Sequence, residues 1–234
     1  MSRVLVVASS TDTETGYVGE RFVQRGFTLG RVLRDRGELP ARVPDGVSAV
    51  LLLGSEWSVA APVDPEALRA ECALVRAAGD AGVPVLGLCY GAQVLAHAYG
   101  GRVGVAPVPE VGLVHVETTD ERLVPPGPWS AFHVDVLEPP PGADVVARNG
   151  CGVQAFRMTG ALGVQFHPEV LPETLDDWAG RFPDLVSRLG LRPDELGEQA
   201  RRREGEARRN AHALVDAFLD RVSGAPDHAP PAIR

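Results

Sequence analysis

Val83-Pro84-Val85-Leu86-Gly87-Leu88-Cys89-Tyr90-Gly91-Ala92-Gln93 opens as an apolar, β-prone run and turns at Gly87-Leu88-Cys89-Tyr90-Gly91. It then takes on a helical spacing through Val94, Leu95 and Ala98 to Gly100-Gly101. This is the pattern of a buried parallel strand, a tight turn and a helix with a glycine stop. Small residues flanking one reactive side chain describe a nucleophile elbow, in which glycines let the backbone turn while the side chain is presented outward. The side chain is a thiol at a helix N-terminus, where the macrodipole and free N–H groups favour thiolate. A buried cysteine is also a small core residue, and the elbow alone leaves both readings open.

A second stretch separates them. Gly163-Val164-Gln165-Phe166-His167-Pro168-Glu169 is an apolar strand ending in a His and a Glu two residues apart. In extended chain, residues i and i+2 face the same side. The carboxylate can therefore sit beside the imidazole, fix its tautomer and stabilise the imidazolium, giving a Cys-His-Glu acyl-transfer set of Cys89, His167 and Glu169. The blocks Gly87-x-Cys89-x-Gly91-x-Gln93 and Gln165-Phe166-His167-Pro168-Glu169, in this order and separation, resemble the class I (triad) glutamine amidotransferases, among them the glutaminase domain of GMP synthetase.

Around these blocks the chain alternates strands and helices. Val4–Ala8 is a continuous apolar run, residues 17–25 read as a short helix, and Phe27 to Val32 as a second strand. Ala49–Gly54 is another buried strand, and Asp64-Pro65 opens a helix with Asp as N-cap and Pro at its first position. Right-handed βαβ crossovers in a largely parallel sheet follow, with Cys89 at a strand's C-terminal end, where open α/β sheets place their sites. From about residue 102 to 166 the period becomes 2, with hairpin signals at Asn149-Gly150 and Thr159-Gly160, an antiparallel or mixed extension of the sheet. From Leu171 the pattern is helical, interrupted at Pro183. The expected fold is α/β and flavodoxin-like: a mostly parallel central sheet with helices on both faces, an antiparallel extension and C-terminal helices. One domain is expected over 1–223, with 171–223 helical and 224–234 a frayed tail.

The resemblance implies further site residues. In that family a backbone N–H from a Gly-Gly-Pro turn, with the N–H following the nucleophile, forms the oxyanion hole. Here the corresponding turn is Gly54-Ser55-Glu56, and the donors would be Ser55 and Tyr90. Ser55 replaces a glycine, which a backbone donor tolerates. Glu56 replaces the proline, and beside a developing oxyanion its carboxylate must point away or meet the substrate's ammonium group. Gln93 matches the family's glutamine-binding residue, one helical turn after Cys89; a polar helix cap is the alternative. His133-Val134-Asp135 resembles a His-Gly-Asp segment that helps hold the substrate's α-amino and α-carboxyl groups, and it can equally be a strand-end pair. Glu110-Val111-Gly112 resembles a Glu-x-Gly segment and reads as structural. His97, His115, His212 and His228 read as helix-face or surface residues.

Composition narrows the chemistry. The 234 residues carry a net charge of −8, which argues against a nucleic-acid face. All 23 basic residues are Arg, removing Walker, Schiff-base and Ser-Lys chemistry. Three cysteines without repeated spacing (Cys72, Cys89, Cys151) imply reduced thiols, with no disulfide framework or zinc site. The short apolar start is a core strand and no signal peptide, and no stretch reaches membrane-spanning length. A cytoplasmic enzyme is expected, without metal or cofactor and with no nucleic-acid or membrane partner. The resemblance implies L-glutamine as substrate and, since no ATP-binding domain follows in this chain, an acceptor synthetase or transferase subunit in trans. Two rivals share the scaffold: a γ-glutamyl amide or peptide hydrolase without a partner, and a non-catalytic binding or regulatory subunit.

Overall fold

A computed structural model describes residues 2–222; the tail expected at 224–234 lies outside the described residues. Ten strands occur among them, β1 (Arg3–Ala8), β2 (Thr28–Leu33), β3 (Val47–Leu52), β4 (Val85–Leu88), β5 (Arg102–Val114), β6 (Glu117–Thr118), β7 (Trp129–Glu138), β8 (Asp144–Arg148), β9 (Val153–Met158) and β10 (Ala161–Val164). The α-helices are α1 (Gly16–Gln24), α2 (Pro65–Asp80), α3 (Tyr90–Ala98), α4 (Pro172–Arg181), α5 (Pro183–Arg188) and α6 (Pro193–Ala217). An eight-stranded sheet runs in the order β2-β1-β3-β4-β10-β9-β8-β6. Its first five strands are parallel, and β9, β8 and β6 extend it by antiparallel pairing.

Strand alternation divides the core between the two sheet faces. On β1, Val4, Val6 and Ala8 join Val18 and Phe22 of α1 and Leu214 and Val215 of α6. Leu5 and Val7 join Leu74, Val75 and Ala78 of α2 and Val94 and Leu95 of α3. A strand covered on both faces has no reason to carry polar residues, which explains its uninterrupted apolar reading. α2 starts as its sequence predicts: Asp64 accepts hydrogen bonds from the Glu66 and Ala67 N–H groups, with Pro65 in the first turn.

The period-2 region supplies the expected extension in β8, β9 and β6, but not all of it joins the main sheet. β5 and β7 leave the main sheet and pair antiparallel as a separate two-stranded sheet. Alternation marks a strand but does not name its partner. β7 is tied back to the central sheet where the His167 N–H donates to the Ser130 carbonyl at 2.7 Å. Trp129 stacks on Phe166 at the same junction, with centroids 4.4 Å apart. Pro183 separates α4 from α5, as its missing N–H dictates. The Arg-rich run on α6 is an exposed helix face whose charges meet Asp176, Glu206 and Glu20. Among the described residues no helix is long and apolar enough to cross a membrane.

Candidate active site

Cys89 sits between β4 and α3 with φ 49° and ψ −110°, the one non-glycine residue with positive φ among those described. That conformation is strained for a side chain, and the surroundings enforce it. A Cβ on Gly87 would lie 2.6 Å from the Gly91 carbonyl oxygen, and one on Gly91 would lie 2.3 Å from that of Leu52. Both positions admit only glycine, so the strand can turn into the helix with no space to relax.

His167 follows β10, the sheet neighbour of β4, and so arrives beside the elbow. Its Nδ1 lies 2.8 Å from Glu169 Oε1, and Nε2 is left for the thiol side. The ring is buried, its edge against Trp178 at 4.7 Å between centroids. Burial favours the neutral ring, but the negative charges at Cys89 and Glu169, with the hydrogen bond to Glu169, outweigh it and hold His167 well above its ordinary range.

The Gly54-Ser55 turn at the end of β3 closes the third side. A Cβ on Gly54 would stand 2.7 Å from His167 Cε1 and 3.7 Å from Cys89 Cβ, so this turn touches both. Ser55 Oγ meets Ser9 Oγ at 3.0 Å and accepts from the Trp57 N–H, while the Ser55 N–H makes no hydrogen bond among the described residues. The N–H of Tyr90, the first residue of α3, likewise makes no hydrogen bond among the described residues, as expected in the first turn of a helix. Glu56 turns to the rim and pairs with Arg181 of α4 at 2.8 Å.

A cavity of about 300 Å³ opens over these groups, bounded by the β1, β3 and β7 ends and roofed by α4 and α5. Gln93 reaches its wall. Its Nε2 donates to Gln165 Oε1 at 3.3 Å, and its Oε1 is buried without a partner among the described residues, an acceptor available to an amide N–H₂. Gln165 Nε2 in turn approaches Cys89 Sγ at 3.6 Å as a donor.

His133 and Asp135 are bound into the protein. His133 Nδ1 meets the Asp135 carbonyl at 2.9 Å, and its Nε2 lies 3.1 Å from Glu110 Oε2. Asp135 Oδ2 accepts from Ser58 Oγ at 2.7 Å. Glu110 also accepts from Asn149 and Gln154, so it ties β5 to β7 and to the β8–β9 turn. Val134 between them is 42% exposed and faces the cavity.

Sequence reasoning missed three contributors. Gln165 was visible in its motif but without a role. Trp178 reads as a helix core position, yet its ring backs His167 and its Nε1 donates to Asp12 Oδ2 at 2.9 Å. Burial, and then the nearby Glu169 charge, raise the Asp12 carboxyl above its ordinary range. The third, Arg34, carries no periodic signal at all. Among the described residues no cluster of three or more His, Cys, Asp or Glu side chains is placed to hold a metal ion.

Known proteins share this fold and parts of this sequence. A glutamine amidotransferase from Thermotoga maritima has the same fold, with a TM-score of 0.83 at 24% identity over 94% of this chain and 98% of that one. Glutamine-hydrolysing GMP synthase of Aeropyrum pernix is 39% identical over 140 residues, 54% of this chain and 27% of that protein. One of the subunits of glutamine-hydrolysing GMP synthase from Thermococcus kodakarensis is 39% identical over 97 residues, 38% of this chain and 52% of that protein. The chain thus spans about a quarter to a half of the length of these curated relatives. The family model described as glutamine amidotransferase class-I matches residues 59–178, a little over half of the sequence and inclusive of Cys89, His167 and Glu169. The chain belongs to the class-I glutamine amidotransferase family of enzymes.

Proposed function

We infer that the protein hydrolyses L-glutamine to glutamate and ammonia through a γ-glutamyl thioester on Cys89. The observation that carries this reading is the juxtaposition of a strained cysteine elbow with a buried imidazole whose far nitrogen is held by a carboxylate at 2.8 Å. The Cys89 thiolate attacks the side-chain amide carbon, and the oxyanion is held by the N–H groups of Ser55 and Tyr90 at the Gly54-Ser55 turn and the helix start. His167 protonates the departing nitrogen, the C–N bond breaks, and ammonia leaves. The imidazole then takes a proton from water, which attacks the thioester and releases glutamate and the thiolate. Gln93 Oε1 accepts from the substrate amide, and the 133–135 segment borders the substrate's α-carbon end. The ammonia passes to a separate acceptor protein. The Thermococcus relative is named as one subunit of a synthase, which supports this division of labour.

A second reading has its own support. α4 and α5 place Trp178, Phe182, Leu185, Arg181 and Arg188 over the cavity, a wall that also suits a γ-glutamyl amide with a larger leaving amine. The test is ammonia release from glutamine, alone and with the enzyme encoded next to this one, beside amine release from γ-glutamyl amides. Glutamine turnover that rises with the neighbour supports the first reading. Faster turnover of substituted amides with no response to any partner supports the second, and no turnover of either rejects both.

A further inference from the structure

Arg34 lies in the single turn after β2 and is 1% exposed, and Glu71 on α2 is fully buried. Each of the five guanidinium N–H groups has an acceptor. Nε and Nη2 grip the Glu71 carboxylate at 3.2 and 3.0 Å, and Nη1 reaches Ser9 Oγ at 3.0 Å. The remaining two donate to the carbonyls of Gly54 and Leu53, both at 2.9 Å. The guanidinium also lies 4.8 Å from the centroid of the Tyr90 ring. One buried cation therefore reaches the elements that carry both oxyanion donors.

A buried ion pair adds little net stability over apolar packing, because desolvation offsets its attraction. What this pair does fix is direction. In a planar trans peptide the C=O and the following N–H point opposite ways. With the Gly54 carbonyl held by Arg34, the Ser55 N–H is directed away from the guanidinium, on the side where the turn lines the cavity. Ser55 Oγ, through Ser9, joins the same network, which accounts for serine at this position.

We propose that Arg34, anchored by Glu71, is a positioning residue that presets the oxyanion turn by holding the Leu53 and Gly54 carbonyls out of the cavity. This rests on the hydrolytic reading above, and the experiment separates the two. Wild type, Arg34→Lys and the double variant Arg34→Met/Glu71→Leu are compared for thermal midpoint, glutamine kcat and KM, and the rate of Cys89 alkylation by iodoacetamide. Alkylation is a displacement that develops no oxyanion, so it reports the thiolate and His167 alone.

The double variant removes both charges together, leaving no unpaired ion. The expected result is a folded protein with unchanged alkylation and KM but kcat lowered about 10²- to 10³-fold, the loss of an oxyanion donor. Arg34→Lys keeps the charge but cannot reach all five acceptors, and kcat should fall about tenfold, one hydrogen bond's worth. Wild-type kcat in the folded double variant, or alkylation falling in step with kcat, overturns the proposal. Should the double variant not fold, an unchanged kcat in Arg34→Lys overturns it. Wild type that turns over neither glutamine nor a γ-glutamyl amide instead refutes the hydrolytic reading itself.

Discussion

Replacing Gly54 by alanine adds one methyl group at the most constrained point of the site. Its Cβ would stand 2.7 Å from His167 Cε1, about 1 Å inside an ordinary carbon–carbon contact. Gly54 is not among the positive-φ glycines, so backbone strain does not confuse the experiment. The ring has nowhere to retreat. Its Nδ1 is held by Glu169 at 2.8 Å, its backbone by the Ser130 carbonyl at 2.7 Å, and its edge by Trp178. Either the imidazole leaves the thiol or the 54–55 turn moves off, taking the Ser55 N–H with it. A displacement of this size lowers kcat about 10²-fold, some 2.7 kcal/mol of barrier. Stability should fall by about 1–3 kcal/mol, as for overpacking elsewhere. Steady-state ammonia release beside thermal unfolding measures both. Gly54→Ala turning over at the wild-type rate would refute the claim that this turn, the sulfur and the imidazole form one packed unit.

Other outcomes follow from the same geometry. Burial pushes the thiols of Cys72 and Cys151 up to about 11, so brief iodoacetamide treatment near neutral pH should modify Cys89 first; peptide mapping that finds Cys72 or Cys151 labelled ahead of it contradicts the thiolate assignment. His167 binds its proton more tightly folded than unfolded, so its contribution to stability is complete below its unfolded value of about 6.5 and is lost as pH rises through the higher folded value. The thermal midpoint should therefore decline above neutrality, less steeply in Glu169→Gln, and identical profiles would remove the ion pair from the account. Gly205 lies inside α6, where an added Cβ meets only the flexible end of Arg209 at 3.6 Å; Gly205→Ala should stabilise by about 1 kcal/mol and leave turnover unchanged, and a destabilised variant would contradict the exposed placement of that face.

Features that local chemistry dictates were legible in the sequence. Val4–Ala8 reads as a doubly covered strand because both its faces are buried, and Asp64-Pro65 reads as a helix start because the cap needs only an oxygen and a fixed φ. The glycines at 87 and 91 read as an elbow because nothing larger fits between the strand end and the helix. What escaped depends on partners distant in sequence. The alternation in Arg102–Val114 and Trp129–Glu138 gives two strands, but their separation from the main sheet is set by packing against α3 and α6. Arg34 has no pattern around it to mark it, since its acceptors on α2 and at the ends of β1 and β3 come together only after the sheet forms. Glu56 beside the oxyanion turn made sense only once Arg181 was placed, because α4 reaches across the cavity to draw the carboxylate to the rim.

The central claim is that Cys89 carries the glutamyl group. Incubation with a glutamine-derived diazoketone, followed by intact mass and peptide mapping, tests it most directly. One adduct on Cys89 is expected, with loss of ammonia release in step with labelling and no reaction in Cys89→Ala. A label on another residue, or ammonia release that persists in Cys89→Ala, would contradict it.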